Sequence, residues 1–301
     1  MTQAIVRIGT RKSELAQWQA NKVGELLKEI GIQSKLVLID SIGDQNLIQP
    51  IYKIGVSGVF TKTLDVALLN DQIDIAVHSM KDVPVQLPQG IIQLAVLERA
   101  STVDILVPNT NNTDSKTIAT SSLRRRAQWL SKFQDHSIAG IRGNVNTRMA
   151  KTAKSNWKGA IFAKAGLERV NLLPEHYEEL NWMIPAPAQG AIMVVGQTKN
   201  NKLAQLVQTI NHSETDVCTK IEREILAILE GGCTAPIAAI SEITGEKIKV
   251  KCGLYDLDGS SKSELELDFL LSEKSAIASK CANALLANGG AALLAKIKSQ
   301  L

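Results

Sequence analysis

The chemistry in this chain is announced by where its arginines stand. Of ten arginines, three lie together in TSSLRRR (residues 120–126) and two in IRGNVNTR (141–148). Arg11 closes RIGTR and Arg169 closes AGLER. The neighbours are glycine, serine, threonine or other small residues, as at the start of a helix. Cations in a first helical turn oppose the helix dipole. A chain that places them there has an anion to hold, and the free N–H groups of the turn add to the site. The guanidinium fork matches carboxylate or phosphate with two parallel hydrogen bonds. Four such turns predict a site for a ligand with many negative charges. In the triple run, Arg124 and Arg125 are expected to face the ligand and Arg126 the solvent.

Two further stretches carry reactive groups. HSMKDVP (78–84) follows an apolar strand, where α/β proteins bind ligands. An aspartate there, Asp82, can stabilise a developing cation, accept hydrogen bonds from N–H groups and move protons. It can equally be half of a surface Lys81–Asp82 pair in a proline-stiffened turn; in extended backbone the two side chains would point in opposite directions. LEGGCTAPI (229–237) puts Cys233 after two glycines at a helix C-terminus. That end of a helix disfavours a thiolate. The position suits a thiol that reacts once and stays bonded, or a small buried cap residue. The four histidines form no motif and read as structural. No phosphate-binding loop, dinucleotide fingerprint or serine-nucleophile elbow occurs.

The elements that must position these residues alternate. IVRIG, the helix LAQWQANKVGELLKEI and the strand KLVLID form a βαβ unit, so a parallel sheet is expected. Thr10 and Ser13 are the candidate helix caps. Residues 43–60 show no period and read as a mobile lid. A helix (FTKTLDVALLND) and a strand (IDIAVHS) follow. RASTVDILVPNTNN marks a change of unit. Three strand–turn–helix patterns follow it, and PAPAQGAIMVVG reads as a strand returning to the first unit. Ser213 opens a helix with Asp216 as a loose capping-box partner. Val217, Ile221, Ile225, Ile228 and Leu229 are its apolar stripe. The remainder reads as a small α+β unit. The expected fold class is α/β: two periplasmic-binding-protein-like α/β domains plus a smaller C-terminal α+β domain. Residues 1–98 with 189–212 form the first domain, 99–188 the second and 213–301 the third. The ligand is expected at the carboxyl ends of the parallel strands, between the first two.

Composition narrows the class. The 301 residues are 45% hydrophobic and no apolar run reaches membrane-span length. The first residues lack the features of a signal peptide, so the cytoplasm is expected. The four cysteines show no C-x-x-C spacing, so zinc is not expected, and in that compartment they are reduced. A net charge of +4 does not by itself imply nucleic acid.

RIGTRKS, DIAVHSMKDVP, TSSLRR, RGNVNTR, AGLER, PAPAQGA and EGGCTAPI together resemble the porphobilinogen deaminase (hydroxymethylbilane synthase) family, in the family's order and over nearly the whole chain. The resemblance implies a cytoplasmic, monomeric transferase of heme and tetrapyrrole biosynthesis. It would join four porphobilinogen molecules head to tail, each losing ammonia, and release hydroxymethylbilane by hydrolysis. It implies a dipyrromethane cofactor, built from substrate and held by a thioether at Cys233. It assigns catalysis to Asp82. Lys81, Ser13, Ser122, Arg124 and Arg125 would hold the acid side chains of the cofactor. Arg11, Arg142, Arg148 and Arg169 would bind substrate and growing chain, and Phe60 would pack near the incoming ring. No metal, nucleic acid, membrane or obligate protein partner is implied. Twelve carboxylates on six rings would account for the arginines.

Three positions depart from the family pattern. Ser57 stands where lysine is common, and Ala119 and Ala188 replace glycines, for which small backbone adjustments are expected. Two other readings compete. A solute-binding protein would share the two-lobed plan but would predict an export signal and leave Cys233 without a task. A nucleic-acid binder would predict a basic face with stacking aromatics, yet aromatics are only 4%.

Overall fold

The computed structural model describes residues 5–41, 60–112, 114–229 and 236–300. Cys233, the glycines before it, Ser57 and the rest of the expected lid up to residue 59 lie outside them.

The chain forms two compact units. One comprises Met1–Ala100, Arg169–Asn171 and Gly190–Asp216; the other comprises Ser101–Glu168, Leu172–Gln189 and Val217–Leu301. In the first unit, β1 (Val6–Arg11), α1 (Glu14–Glu29) and β2 (Ser34–Ile39) form the expected βαβ unit. The strands are parallel, in register from Val6↔Ser34 to Arg11↔Ile39. α1 buries Ala16, Ala20, Val23 and Leu27, spaced four, three and four residues apart. Each large apolar side chain so buried contributes about 1.5–3 kcal/mol. α2 (Lys62–Leu69), β3 (Ile75–Ser79) and β4 (Ile91–Val96) complete this first pass.

The chain crosses to the second unit at Ser101. There it forms β5 (Asp104–Pro108), β6 (Thr117–Ala119), α3 (Leu123–Lys132), β7 (Ser137–Ala139), α4 (Val145–Lys154), β8 (Gly159–Ala163), α5 (Lys164–Glu168) and β9 (Glu178–Glu179). β10 (Ile192–Gln197) returns to the first unit, antiparallel to both β3 and β4. α6 (Asn201–Gln208) follows. The first sheet therefore runs β2-β1-β3-β10-β4 and the second β7-β6-β8-β5-β9. The two orders are the same: a parallel trio that begins at one edge, then one antiparallel strand, then the other edge. In each sheet the antiparallel strand is the one the chain makes just after crossing between units.

α7 (Ser213–Ile228) leads to the meander β11 (Ile237–Thr244), β12 (Lys247–Tyr255) and β13 (Lys262–Leu270), backed by α8 (Lys274–Leu285) and α9 (Ala291–Gln300). Ile221, Ile225, Val250, Cys252, Cys281 and Leu285 share its core. This sheet docks on α3 through Ala127, Ile184, Ala238 and Tyr255. Gly259 makes the approach possible: its φ is +76°, and a Cβ there would lie 2.3 Å from the backbone nitrogen of Ser131. The fold class is thus the one expected, α/β with a smaller C-terminal α+β part.

Some local readings need correction. The cap of α7 is His212, whose Nδ1 accepts from the N–H of Thr215, 3.3 Å away. Asp216 instead accepts from the side chains of Gln93 and Asn211. Ile228 is 42% exposed rather than part of the buried stripe. β5 went unread because its sequence, DILVP, is too short for a period to show.

Candidate functional site

In the first unit, residues of the expected site cluster just beyond β1 and β3. Arg11 is the last residue of β1, and its guanidinium carbon lies 4.3 Å from the centre of the Phe60 ring. Ser13 occupies the cap position of α1, yet its side chain makes no capping bond. Thr10 does not cap α1 either; its hydroxyl donates to the carbonyl of Ala16 at 2.9 Å. The hydroxyl of Ser13 is thus not committed to the helix.

Met80–Asp82 is a 3-10 turn directly after β3. Met80 is its buried anchor at 1% exposure, while Lys81 and Asp82 are half-buried. The backbone is not extended here. A 3-10 turn separates successive side chains by about 120° rather than opposing them. Arg169 is 9% exposed, donates from Nη2 to the Gly190 carbonyl at 2.6 Å, and sits 5.5 Å over the ring of Trp18.

Near Arg11, His78 is buried in β3 and its Nε2 makes no hydrogen bond among the described residues. Burial, reinforced by the Arg11 charge, pulls its pKa down to about 4. The ring is neutral at pH 7, so it adds no second cation beside Arg11.

In the second unit the expected cluster forms around the start of α3. Ser122 caps the helix, its hydroxyl accepting from the N–H of Arg125 at 3.4 Å. Arg124 and Arg125 are buried at 5% and 7% exposure, and both pair with one carboxylate. Arg124 Nη2 lies 2.7 Å from Asp104 Oδ2, and Arg125 Nη2 lies 2.7 Å from Asp104 Oδ1. Burial lowers the pKa of Arg124 and Asp104 raises it back in part. A guanidinium stays protonated through such shifts. Arg124 Nε is buried and has no acceptor among the described residues.

Arg126 is half-buried, not solvent-facing as expected. α3 buries Ala127, Gln128 and Trp129 as well as the two arginines, so more than half of its circumference is packed and Arg126 lies at the margin of that face.

Arg142 and Arg148 flank Gly143 at the start of α4. Arg142 is 9% exposed, and burial lowers its pKa. Arg148 donates from Nε to the Gly143 carbonyl at 2.7 Å. Gly143 has φ +117°, and an added Cβ would lie 2.7 Å from Thr147 Cγ2. The glycine is needed for the turn itself.

Three contributors escaped sequence reading: Asp104, Gln189 and Trp18. Asp104 has a signal in retrospect. It is a lone acid heading an apolar strand and is 0% exposed, and a charge so placed requires partners. Gln189 donates from Nε2 to Asp104 Oδ1 at 2.9 Å and to the Thr102 carbonyl at 2.7 Å, contacts that no local pattern predicts. No group of three or more metal-ligating side chains occurs among the described residues.

The donor set fits a ligand rich in carboxylates. Two buried guanidiniums share one carboxylate, and Arg124 Nε has a proton to give. The family description "Porphobilinogen deaminase, dipyromethane cofactor binding domain" matches residues 6–205, and "Porphobilinogen deaminase, C-terminal domain" matches residues 217–287. A curated porphobilinogen deaminase of Desulfosudis oleivorans is 38% identical over 98% of this chain and 98% of its own. That of Legionella pneumophila is 36% identical over 99% of this chain and 100% of its own. Among solved structures, a probable amino-acid-binding protein of an ABC transporter from Bacillus subtilis is 12% identical over 69% of this chain and 90% of that chain, with a TM-score of 0.40.

Proposed function

The chain belongs to the porphobilinogen deaminase family, and on that premise we propose which of its residues carry the chemistry. The family's enzyme is hydroxymethylbilane synthase, a transferase of tetrapyrrole biosynthesis. It condenses four porphobilinogen molecules head to tail with loss of ammonia, and water releases the product. When bound, dipyrromethane supplies the primer on which that chain grows.

Arg124, Arg125, Ser122, Ser13 and Lys81 hold the acid side chains of the cofactor. Arg11, Arg142, Arg148 and Arg169 bind the carboxylates of substrate and growing chain, with Phe60 against the incoming ring. The observation that carries this reading is the charge count at α3. Among the described residues two buried guanidiniums pair with one carboxylate, which leaves one positive charge for a ligand acid to balance. Asp82 sits half-buried on a turn pinned by Met80. Its carboxylate accepts hydrogen bonds from pyrrole N–H groups, offsets the positive charge that grows as ammonia leaves, and holds the proton that is moved.

Cys233 is the attachment point, through a thioether. The other three cysteines support this by elimination. Cys218, Cys252 and Cys281 are 6%, 0% and 0% exposed, and none offers a thiol to a two-ring adduct. The protein works as a cytoplasmic monomer with no obligate protein, nucleic-acid or membrane partner. Its three domains are 1–98 with 189–212, 99–188 and 213–301. Among the described residues no helix is long and apolar enough to cross a membrane.

Intact mass tests the reading. Protein made in porphobilinogen-producing cells is expected to exceed the polypeptide mass by two pyrrole units. Cys233→Ser is expected to lose both that increment and turnover. An unmodified parent that ignores porphobilinogen would refute the assignment.

A further inference from the structure

We propose that Asp104 is a positioning residue of the cofactor site: it holds the guanidiniums of Arg124 and Arg125 in place to receive acid side chains. The proposal rests on the reading that these two arginines hold dipyrromethane.

Asp104 heads β5 and is wholly buried. Its two oxygens are divided between the two arginines. Oδ2 accepts from Arg124 Nη2 at 2.7 Å. Oδ1 accepts from Arg125 Nη2 at 2.7 Å and from Arg125 Nε at 3.1 Å. The far side of each guanidinium is tied as well: Arg124 Nη1 donates to the Ile184 carbonyl and Arg125 Nη1 to the Ile161 carbonyl, both at 2.8 Å. Each planar group is thus gripped on two edges, which removes most of its rotamer freedom before a ligand arrives. Gln189, from the PAPAQG stretch that precedes β10, grips Asp104 in turn.

The arrangement does not neutralise the pair. One carboxylate between two buried cations leaves a surplus positive charge at a helix N-terminus, where anions are favoured. Arg124 Nε adds a buried donor with no acceptor among the described residues. A purely structural ion pair would match charges and leave no such donor. Asp104 instead allows two like charges to sit side by side and still attract a third group.

The test uses the full chain made in porphobilinogen-producing cells, with three readouts. These are the fraction bearing the two-pyrrole mass increment, the thermal midpoint, and kcat and KM of the loaded fraction. Asp104→Asn keeps the shape and removes the charge. The loss of its charge-assisted bonds is expected to lower the loaded fraction about tenfold or more. Added to Arg124→Leu with Arg125→Leu, it is expected to lower loading no further, since Asp104 acts through those two side chains. Parent-level loading by a folded Asp104→Asn chain overturns the proposal, as does a further additive loss in the triple variant.

Asp104→Glu covers the case in which the asparagine chain does not fold. It keeps the charge but shifts the oxygens by about one bond, so reduced loading with raised KM at an unchanged midpoint is expected. Parent-level loading and KM would overturn the proposal. Parent-level loading by the Arg124→Leu, Arg125→Leu chain would instead sink the reading beneath it.

Discussion

The Arg11 guanidinium lies over the Phe60 ring, its carbon 4.3 Å from the ring centre. The contact restricts where the cation can point. A cation–π contact contributes about 0.5–2 kcal/mol. Phe60→Ala is therefore expected to raise KM for porphobilinogen by roughly 2- to 30-fold, with a smaller effect on kcat. Phe60→Tyr keeps the π face and is expected to stay close to the parent. Equal KM values in all three, from steady-state assays of loaded enzyme, would show that the pair does not contribute to binding.

Asp82 and Arg142 separate chemistry from binding. A group that moves protons and offsets charge at the reacting centre is worth about 10²–10⁴-fold. Asp82→Ala is expected to keep its thermal midpoint and lose at least that lower factor in kcat. Arg142→Leu removes charge-assisted bonds of about 1.5–3 kcal/mol, so chain growth should slow by roughly 10- to 100-fold. Mass spectra of stalled enzyme would show adducts of intermediate length. Full turnover in either variant removes that residue from the mechanism.

His78 and Asp65 give opposite pH dependences. His78 has its pKa lowered to about 4, so between that value and 6.5 the unfolded chain holds more protons than the folded one. Its stabilising contribution is complete above pH 6.5 and is lost on acidification, by about 3 kcal/mol in all. Burial raises Asp65 to about 6 from 3.8. There the folded chain holds more protons, and stability rises as pH falls through that window. Urea midpoints at about pH 4.5, 5.5 and 7 check the signs. Relative to the parent, His78→Gln is expected to gain stability toward acid and Asp65→Asn to lose it. Parallel curves for parent and both variants would refute the assignment.

Ala188 occupies the left-handed region at φ +60°, held there while its N–H donates to Glu222 Oε2 at 2.7 Å. The strain costs about 1–2 kcal/mol for an L-residue. Glycine would relieve it, but would add unfolded-state entropy of about 0.4–1 kcal/mol. It would also remove a buried methyl worth about 0.8 kcal/mol. These terms nearly cancel, so Ala188→Gly is expected within about 1 kcal/mol of the parent. Ala188→Val places a β-branched residue at positive φ and is expected to lose at least about 2 kcal/mol in denaturant unfolding. A valine variant as stable as the parent would mean the backbone is not held there. The methyl is thus accommodated at a strained residue rather than by a relaxed backbone.

The alternation of strands and helices was legible in the sequence, because hydrophobic period is a local property. So was the placement of Arg124, Arg142 and Arg148 after strands and of Arg11 at a strand's end, since turn chemistry is written in adjacent residues. What the tertiary structure decided is who meets whom. Asp104 reaches Arg124 across 20 residues and Gln189 across 85, and no local pattern encodes either distance. Asp216, expected to cap its own helix locally, instead meets Gln93, 123 residues away. Whether an arginine is buried, and how many acids share its charge, depends on which strands the sheet brings side by side. Charge balance at the site is therefore a property of the fold, although every charge in it was visible beforehand.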